Sequence, residues 1–284
     1  MNTASTRPLL QVADLRVRFH TQRGVVEAVR GIDFSLGREK LGIVGESGSG
    51  KSLTGRSILR LLPPGATLSA KRLAFDGIDI LTAAPAVLRE LRGRRLAMVM
   101  QDPKFSLNPV MPVGDQIAEA YLSHTRAGAA EAREKALAML EAVRIRDPRR
   151  VYDLYPHEVS GGMGQRIMIA MMLAPDPDLL IADEPTSALD VTVQMQVLAI
   201  LDDLVSQRGM GLIFISHDLT LVASFCDRVL VMYGGRIVET VDARRLGEAR
   251  HPYTRGLMAC LPRLEGGEGD LPVLQRDPAW LSQS

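Results

Sequence analysis

The apolar residues of this chain follow two periods, and the change between them divides the sequence into regions. Near the start, alternating apolar and polar positions in LLQVADLRVRF and VVEAVRGIDFSL predict strands of an antiparallel sheet, with turns at Gly24 and Gly37. From Asp102 to about Tyr155, helical periodicity and alanine-rich segments predict an inserted helical region. Later, RVLVMYGGRIVET predicts a hairpin around its paired glycines.

Short apolar runs alternate with helical segments in the rest of the chain. LGIV (41–44) predicts a buried strand, followed by a glycine-rich loop and a helix over 51–62 that ends at paired prolines. A helix over 165–173, the strand LLIAD, the helix VTVQMQVLAILDDLVSQR and the strand GLIFIS predict a mostly parallel sheet with helices on its faces. The last twenty or so residues, rich in Gly, Pro and acids, are expected to lie loosely on the surface.

Composition excludes several classes of protein. With 46% hydrophobic and 24% charged residues over 284 positions, the chain is typical of a soluble globular protein with a sizeable core. The net charge of +1 provides no global field for nucleic acid or an anionic membrane. The two cysteines form no disulfide framework, which fits a reducing compartment. The sequence has no signal-peptide pattern and no apolar run long enough to span a membrane, so we expect any membrane role to come through a partner.

The segment GESGSGKS has the spacing of a phosphate-binding loop, and it lies between a predicted buried strand and a predicted helix. Glycines let successive backbone amides face a phosphate, and the helix N-terminus adds its dipole. Lys51 is expected to reach the β and γ phosphates, and the Ser52 hydroxyl to bind Mg²⁺. The residues assigned to the nucleotide here are Gly45, Ser47, Gly48, Ser49, Gly50, Lys51, Ser52 and Leu53.

Polar side chains follow three other apolar runs, at the sheet edge where ligands of such folds bind. Asp183 is predicted to bind Mg²⁺, and Glu184 to polarise an attacking water. His217, after GLIFIS, is placed to contact the γ-phosphate. Gln101, after AMVM, is placed to reach the Mg²⁺ or the water.

A second glycine-rich turn, VSGGMGQR, begins a helix more than a hundred residues after the first. If the first loop surrounds one ATP, the second turn has no nucleotide left to bind in its own site. Ser160, Gly161 and Gly162 would then suit the γ-phosphate of an ATP held by another copy. Two chains facing head to tail would then enclose two nucleotides. The alternative is an ordinary helix capped by Ser160, and the residues alone leave both hypotheses open.

Taken together, these segments resemble the ATP-binding-cassette (ABC) ATPases over nearly the whole chain. GESGSGKS is similar to the Walker A motif, Gln101 to the Q-loop, VSGGMGQR to the signature, LLIADE to Walker B, SALD to the D-loop and His217 to the switch histidine. The resemblance implies an α/β fold: a RecA-like core with a mostly parallel sheet, an antiparallel β subdomain and an inserted helical subdomain. It also implies that the signature binds the ATP of the partner, and that Phe19 stacks on adenine.

Four segments, QDPKFSLNPVMPVGDQI, YPHEVSGGMGQR, DEPTSALDVTVQ and HPYTRGLMACLP, resemble the ATPases of oligopeptide, dipeptide and nickel importers. The resemblance implies a subunit on the cytoplasmic face of the plasma membrane. Its partners would be two transmembrane permeases and a second ATPase, sister chain or self, with a binding protein outside the cell. The expected cofactors are ATP and Mg²⁺. An ATPase of a soluble carbon–phosphorus lyase complex is the alternative, and a nucleic-acid partner is not expected.

Three departures from this branch bear on the site. Val159 stands where Leu or Phe is common and keeps an apolar side chain. Gly164 stands where Arg is common, which costs about 1 kcal/mol against Ala in a helix and removes a charge near the partner's nucleotide. Only Cys260 stands where many relatives have a cysteine cluster, so no iron–sulfur cluster is expected.

The predicted organisation has four segments. They are the β subdomain with the phosphate-loop half of the core (1–101), the helical subdomain ending in the signature (102–164), the second half of the core (165–245) and a C-terminal extension (246–284).

Overall fold

The structure is a computed structural model that describes residues 8–22, 24–101, 106–187 and 189–260, together with Asp277 and Trp280. The strands are β1 (Leu10–Thr21), β2 (Gly24–Leu36), β3 (Lys40–Val44), β4 (Ala66–Ser69), β5 (Arg72–Phe75), β6 (Ile78–Asp79), β7 (Leu96–Val99), β8 (Leu179–Asp183), β9 (Gly211–Ser216), β10 (Arg228–Tyr233) and β11 (Arg236–Asp242). The helices are α1 (Lys51–Ile58), α2 (Pro85–Leu91), α3 (Val113–Leu122), α4 (Ala129–Ala142), α5 (Pro148–Tyr152), α6 (Gly161–Leu173), α7 (Val191–Arg208), α8 (Leu219–Phe225) and α9 (Pro252–Ala259).

The chain divides into two compact units, one comprising residues 1–83 and 213–284 and the other residues 84–212. In the first unit, β1 pairs antiparallel with β2, β4 and β5, and β5 continues to β6. The same unit has a second sheet, in which β10 pairs parallel with β3 and antiparallel with β11. The antiparallel start of the chain and the hairpin at the paired glycines are therefore as predicted.

The second unit combines a parallel strand pair with helices. β7 runs parallel to β8, and every residue of β8 is buried. Strands buried on both faces read as unbroken apolar runs, which is why LLIAD could be identified from the sequence. α3, α4 and α5 fall within the predicted helical insertion, although Asp102, its expected first residue, lies outside the described residues. The four predicted segments of the chain stay a prediction.

Helix α1 is shorter than its periodicity predicts. It was expected to continue to residue 62, but Arg60 adopts a left-handed φ of 50°. The amide of Arg60 donates to the carbonyl of Ser57, and the amide of Leu61 donates to the carbonyl of Arg56. This pair of bonds closes the last turn with the geometry that commonly ends helices. The helix therefore ends one turn before the prolines.

The loose C-terminal tail predicted from composition is wrong at one residue. Of the last twenty residues only Asp277 and Trp280 are described, and the Trp280 side chain is buried, with 9% of its surface exposed. Its indole lies 5.6 Å from the ring of Tyr233 and 5.7 Å from the ring of Tyr253. An aromatic ring removes a large apolar surface from water when it packs in this way. Gly, Pro and acidic content could not predict that packing.

Candidate active site

The glycine-rich loop in the first unit connects β3 to α1 through a backbone that requires glycine at two positions. Gly50 has a φ of 99°, and a Cβ there would lie 2.8 Å from the carbonyl oxygen of Ala28. A Cβ at Gly45 would lie 2.1 Å from the carbonyl oxygen of Met232. Side chains at either position would collide with rigid backbone, so the loop keeps this curled form only with glycine.

Two polar groups of the loop fit a phosphate ligand. Lys51 is buried, and its Nζ donates to the carbonyl oxygens of Gly45 at 2.8 Å and Glu46 at 2.9 Å. The buried Ser49 hydroxyl has no hydrogen-bond partner within the described residues. A buried polar atom without a partner is costly, and a phosphate oxygen would satisfy it. Both features favour an anion in the curl of the loop.

The start of α1 adds further donors to the same loop. Gly50 is the N-cap residue, and no side chain caps the helix there. The first amides of an uncapped helix point outward without intrahelical partners, and the helix dipole favours negative charge at this end. Ser52 and Leu53 lie half-buried in the first turn. The loop and the start of α1 therefore form a positively polarised cradle, and the Lys51 side chain extends from the helix to the start of the loop.

In the second unit, the two predicted acidic residues end the buried strand β8. Asp183 is buried, with 5% of its surface exposed, and Glu184 is half-buried. Glu184 has a left-handed φ of 48°, uncommon for a residue with a side chain. Its carbonyl accepts hydrogen bonds from the amide and the hydroxyl of Ser187, which hold this turn. A strained conformation held by its surroundings is typical of functional positions.

Gln101 and Glu184 lie together, as expected for residues at the ends of paired parallel strands. Gln101 follows β7, whose partner is β8, and its Nε2 lies 3.4 Å from Glu184 Oε2. This distance is at the long limit of a hydrogen bond, so the amide and the carboxylate are adjacent without being tightly bound. A side chain with both donor and acceptor groups thus contacts the residue predicted to activate water.

The second glycine-rich turn has a different construction. Ser160 caps α6, because its hydroxyl accepts a hydrogen bond from the amide of Met163 at 3.3 Å. A Cβ at Gly161 would meet no atom within 4 Å, whereas one at Gly162 would lie 2.6 Å from a methyl of Val193. The capping hypothesis is therefore confirmed in its geometry. It leaves the exposed amide surface of Gly161 open to a further ligand.

The helix that begins at this turn is anchored by Arg166. Its Nε donates to the carbonyl of Gly162 at 3.2 Å, and its Nη1 donates to the carbonyl of Arg144 at 2.9 Å. Partial burial lowers the pKa of the Arg166 guanidinium. Gly164 is buried in the first turn and donates its amide to the Ser160 carbonyl at 2.8 Å. The helix was predicted from residue 165 and in fact begins at Gly161, because Ser160 supplies the cap.

The remaining predicted residues lie in the first unit. His217 directly follows β9, as its position after GLIFIS predicts, and its side chain is exposed. Phe19 lies half-buried in β1, opposite Val26 of β2 and Ala66 of β4. A half-buried strand aromatic has one part of its surface available to a planar ligand. The functions assigned to both residues stay predictions.

Comparison with known proteins assigns the chain to a family. The family model for ABC transporters matches residues 29–187. Over 270 residues the chain is 52% identical to a probable peptide ABC transporter ATP-binding protein, y4tR, of Sinorhizobium fredii, covering 94% of this chain and 81% of that protein. The chain belongs to the ABC transporter family.

Other relatives agree with this family. This ABC protein is 47% identical over 276 residues to the oligopeptide transport ATP-binding protein OppD of Escherichia coli, covering 96% of the chain and 82% of that protein. The dimeric ATP-binding cassette MJ0796, bound to ADP and Pi, matches its fold with a TM-score of 0.74 at 23% identity, over 83% of this chain and 99% of that one. The cbiO1 cassette of Clostridium perfringens matches with a TM-score of 0.72 at 26% identity, over 85% and 91%.

The predicted fold class is confirmed by these matches: this is an ABC ATPase fold with antiparallel and parallel sheets. The chain is an ATP-binding ATPase of the ABC type. Within the described residues, no helix is both long enough and apolar enough to cross a membrane.

One residue near the ABC nucleotide loop was missed by the sequence reasoning. The hydroxyl of Tyr253, in α9, accepts a hydrogen bond from the amide of Glu46 at 3.0 Å. HPYTR was identified only as a segment shared with relatives, without a role for any of its residues. The two partners are 207 positions apart, and no local pattern predicts a contact at that distance.

Proposed function

We propose that this ABC ATPase powers the import of peptides, as one subunit of a membrane complex. The observation that carries the proposal is the 52% identity over 94% of the chain to a protein named as a probable peptide transport subunit. OppD proteins of Bacillus subtilis and Escherichia coli, named for oligopeptide transport, support it at 46% and 47% identity. The carbon–phosphorus lyase alternative gains no support from these relatives.

Each predicted residue has a role in this proposal. Gly45, Ser47, Gly48, Ser49 and Gly50 form the cradle, and Lys51 stabilises charge on the phosphates together with His217. Ser52, Asp183 and Gln101 supply the oxygen ligands that Mg²⁺ prefers. The metal would neutralise charge on the phosphates, and Glu184 would orient or deprotonate the attacking water.

The active form would be a nucleotide-sandwich dimer. Ser160, Gly161 and Gly162 of one chain would bind the ATP held by the loop of the other, which is a second copy or a related ATPase. The open space beside Gly161 and the uncompensated amides of the capped helix support this assignment. The MJ0796 cassette, which has the same fold, is a dimer.

Two permease subunits would anchor the ATPase at the cytoplasmic face of the plasma membrane, and a binding protein outside the cell would deliver the peptide. Substrate choice would then depend on those partners, because the ATPase meets only their inner surface. Adenine would stack on Phe19. These assignments extend the family's general activity to a particular complex.

An affinity pull-down tests the complex. The Glu184→Gln variant, with ATP and Mg²⁺, should hold the sandwich closed and retain its partners for mass spectrometry. We expect two polytopic permeases and a second ATPase. The matched control is Lys51→Ala/Glu184→Gln, which should not bind ATP tightly enough to close. Recovery of soluble phosphonate-processing enzymes in place of permeases would overturn the importer proposal while leaving the ATPase activity intact.

A further inference from the structure

Helix α9 contacts the nucleotide loop through the buried side chain of Tyr253. Tyr253 is fully buried, and its hydroxyl accepts the hydrogen bond of the Glu46 amide at 3.0 Å. Both residues belong to the first unit of the structure. A buried hydroxyl of this kind is held by its surroundings, and its loss leaves the amide without this partner.

The ring of Tyr253 is fixed on more than one side. Its centroid lies 4.5 Å from the ring of Tyr233 and 5.7 Å from that of Trp280. These three side chains, Tyr233, Tyr253 and Trp280, are called the aromatic cluster below. The main chain of Tyr253 is fixed too, because its amide donates to Nδ1 of His251, the residue that caps α9. The hydroxyl therefore has little freedom to move away from the loop.

The bonded amide belongs to the peptide group that joins Gly45 to Glu46. The carbonyl oxygen of this peptide group, which belongs to Gly45, accepts a hydrogen bond from Lys51 Nζ at 2.8 Å. One planar unit is thus held from both sides, by the Tyr253 hydroxyl at its N–H and by the Lys51 ammonium at its C=O. Any rotation of this peptide group would break both bonds together.

We propose that Tyr253 is a positioning residue for ATP binding. By fixing the Gly45–Glu46 peptide group, it holds the loop in the curled form that receives the phosphates. A loop that is ordered before the ligand arrives loses less conformational entropy on binding. Helix α9 therefore supports the nucleotide loop from outside it.

Main-chain groups of the hairpin β10–β11 also contact the loop. The amide of Gly235 donates to the Ser49 carbonyl at 3.1 Å, and the Met232 carbonyl packs where a Cβ of Gly45 would lie. These two contacts use backbone atoms, so they do not depend on the Tyr253 hydroxyl. Removing that hydroxyl therefore tests its bond to Glu46 while the contacts of Gly235, Met232 and Lys51 remain.

The decisive variant is Tyr253→Phe in the full chain, because it keeps the ring and removes only the hydroxyl. Without nucleotide, the Glu46 amide should exchange with deuterium at least several-fold faster. The Kd for ATP should rise roughly three- to tenfold, the equivalent of one ordinary hydrogen bond. In steady-state hydrolysis KM should rise while kcat at saturating ATP changes less than twofold, because the chemical groups are intact.

Two matched controls isolate the effect. Tyr233→Phe removes a hydroxyl from the same aromatic cluster, and that hydroxyl makes no hydrogen bond within the described residues, so exchange at Glu46 and Kd should stay at the wild-type values. Tyr152→Phe removes a buried hydroxyl bonded to Asp115 at 2.8 Å in the other unit. It should lower thermal stability without changing the affinity for ATP.

A second variant keeps the proposal testable if Tyr253→Phe folds poorly. Trp280→Leu removes a ring that packs on Tyr253 and changes no residue of the loop. It should raise the exchange rate of the Glu46 amide and the Kd for ATP, each by a smaller factor than Tyr253→Phe does. Unchanged exchange at Glu46 and unchanged Kd in Tyr253→Phe would overturn the proposal. So would an equal rise of Kd in Tyr152→Phe, which would indicate general destabilisation. The inference rests on ATP binding at the loop; a wild-type chain that bound no ATP would instead defeat that assignment.

Discussion

Two glycine-rich turns begin helices in this protein, and they use glycine for opposite reasons. At Gly50 the backbone itself requires glycine, because φ is 99° and a Cβ would strike the Ala28 carbonyl. At Gly161 neither restriction applies: φ is not positive, and a Cβ would meet nothing within 4 Å. At Gly50 the first turn is confined by its own unit, whereas at Gly161 the second turn has open space, although Gly162 beside it is confined by Val193.

The two turns also differ in how their helices are capped. No side chain caps α1, so its first amides remain available to a phosphate. Ser160 caps α6 through the Met163 amide, which already satisfies one donor. A cradle that must surround most of a nucleotide's phosphates needs every donor, whereas a surface that closes on one γ-phosphate needs fewer. The comparison therefore supports unequal roles for the two turns at one ATP.

The largest effect is expected from Glu184→Gln, which should impair hydrolysis while leaving both glycine-rich turns unchanged. Glu184→Gln should retain ATP binding while lowering turnover about 10²–10⁴-fold, the usual contribution of a general base. Steady-state ATPase assays and equilibrium binding on the same preparation measure the two quantities. Hydrolysis at the wild-type rate would contradict the assignment of Glu184. In this background the dimer should persist with ATP, so the contribution of each turn to closure can be measured separately.

Gly50→Ala should break the first turn. A Cβ at 2.8 Å from the Ala28 carbonyl, together with a left-handed φ, costs of order 1–3 kcal/mol. We expect the Kd for ATP to rise about 10–100-fold, measured by calorimetry, with the circular dichroism spectrum retained. Unchanged affinity would show that the loop can adopt another productive form, and the contrast between the turns would then fail.

Gly161→Ala should have the opposite pattern. Ala replaces Gly in a helix with a gain of up to about 1 kcal/mol, so the thermal midpoint should stay equal or rise, and ATP binding by the chain's own loop should not change. If the partner's nucleotide binds at this turn as proposed, the added methyl would obstruct it, and hydrolysis should fall about tenfold, equivalent to about 1.4 kcal/mol. The control is Gly128→Ala, another glycine with open space before a helix of the same unit, which should keep full activity.

The smallest expected effect concerns the cap. Ser160→Ala should lower the free energy of unfolding by about 1 kcal/mol, the usual contribution of an N-cap hydroxyl, as measured by urea denaturation. Ser160→Asp should restore that stability, because Asp is an equally good cap, yet it should not restore hydrolysis beside a partner's phosphate. Full activity in Ser160→Asp would reduce this turn to a structural cap and remove the second half of the comparison.

Much of the fold could be predicted because the local pattern and the buried environment agree. The bounds of α7, β8 and β9 match the predicted segments residue for residue, since buried strands are unbroken apolar runs and α7 has a capping Asp190 and a terminal Gly209. The C-terminal end of α1 and the start of α6 differ from the prediction, because capping geometry sets these boundaries and the apolar periodicity does not reveal it.

The candidate site also has features that the sequence predicted and features that it did not. The phosphate loop, Asp183, Glu184 and Gln101 were found because each follows an apolar strand in a recognisable order. The left-handed φ of Glu184 was not predicted, because no residue pattern signals it. The hydrogen bond from Glu46 to Tyr253 was not predicted either, because it joins distant parts of the chain. Composition failed most clearly at Trp280, a buried ring within a segment rich in Gly and acids.

The position of Trp280 gives the protein a built-in optical reporter. It is the single tryptophan of the chain, so indole emission arises from one place, 5.7 Å from the ring that holds the nucleotide loop. Excitation at the red edge of the absorption band selects this indole over the five tyrosines. Changes at the loop that shift the neighbouring ring alter the surroundings of that fluorophore. The emission of Trp280 can therefore report displacement of the Tyr253 ring, for example in the loop variants, on unlabelled protein.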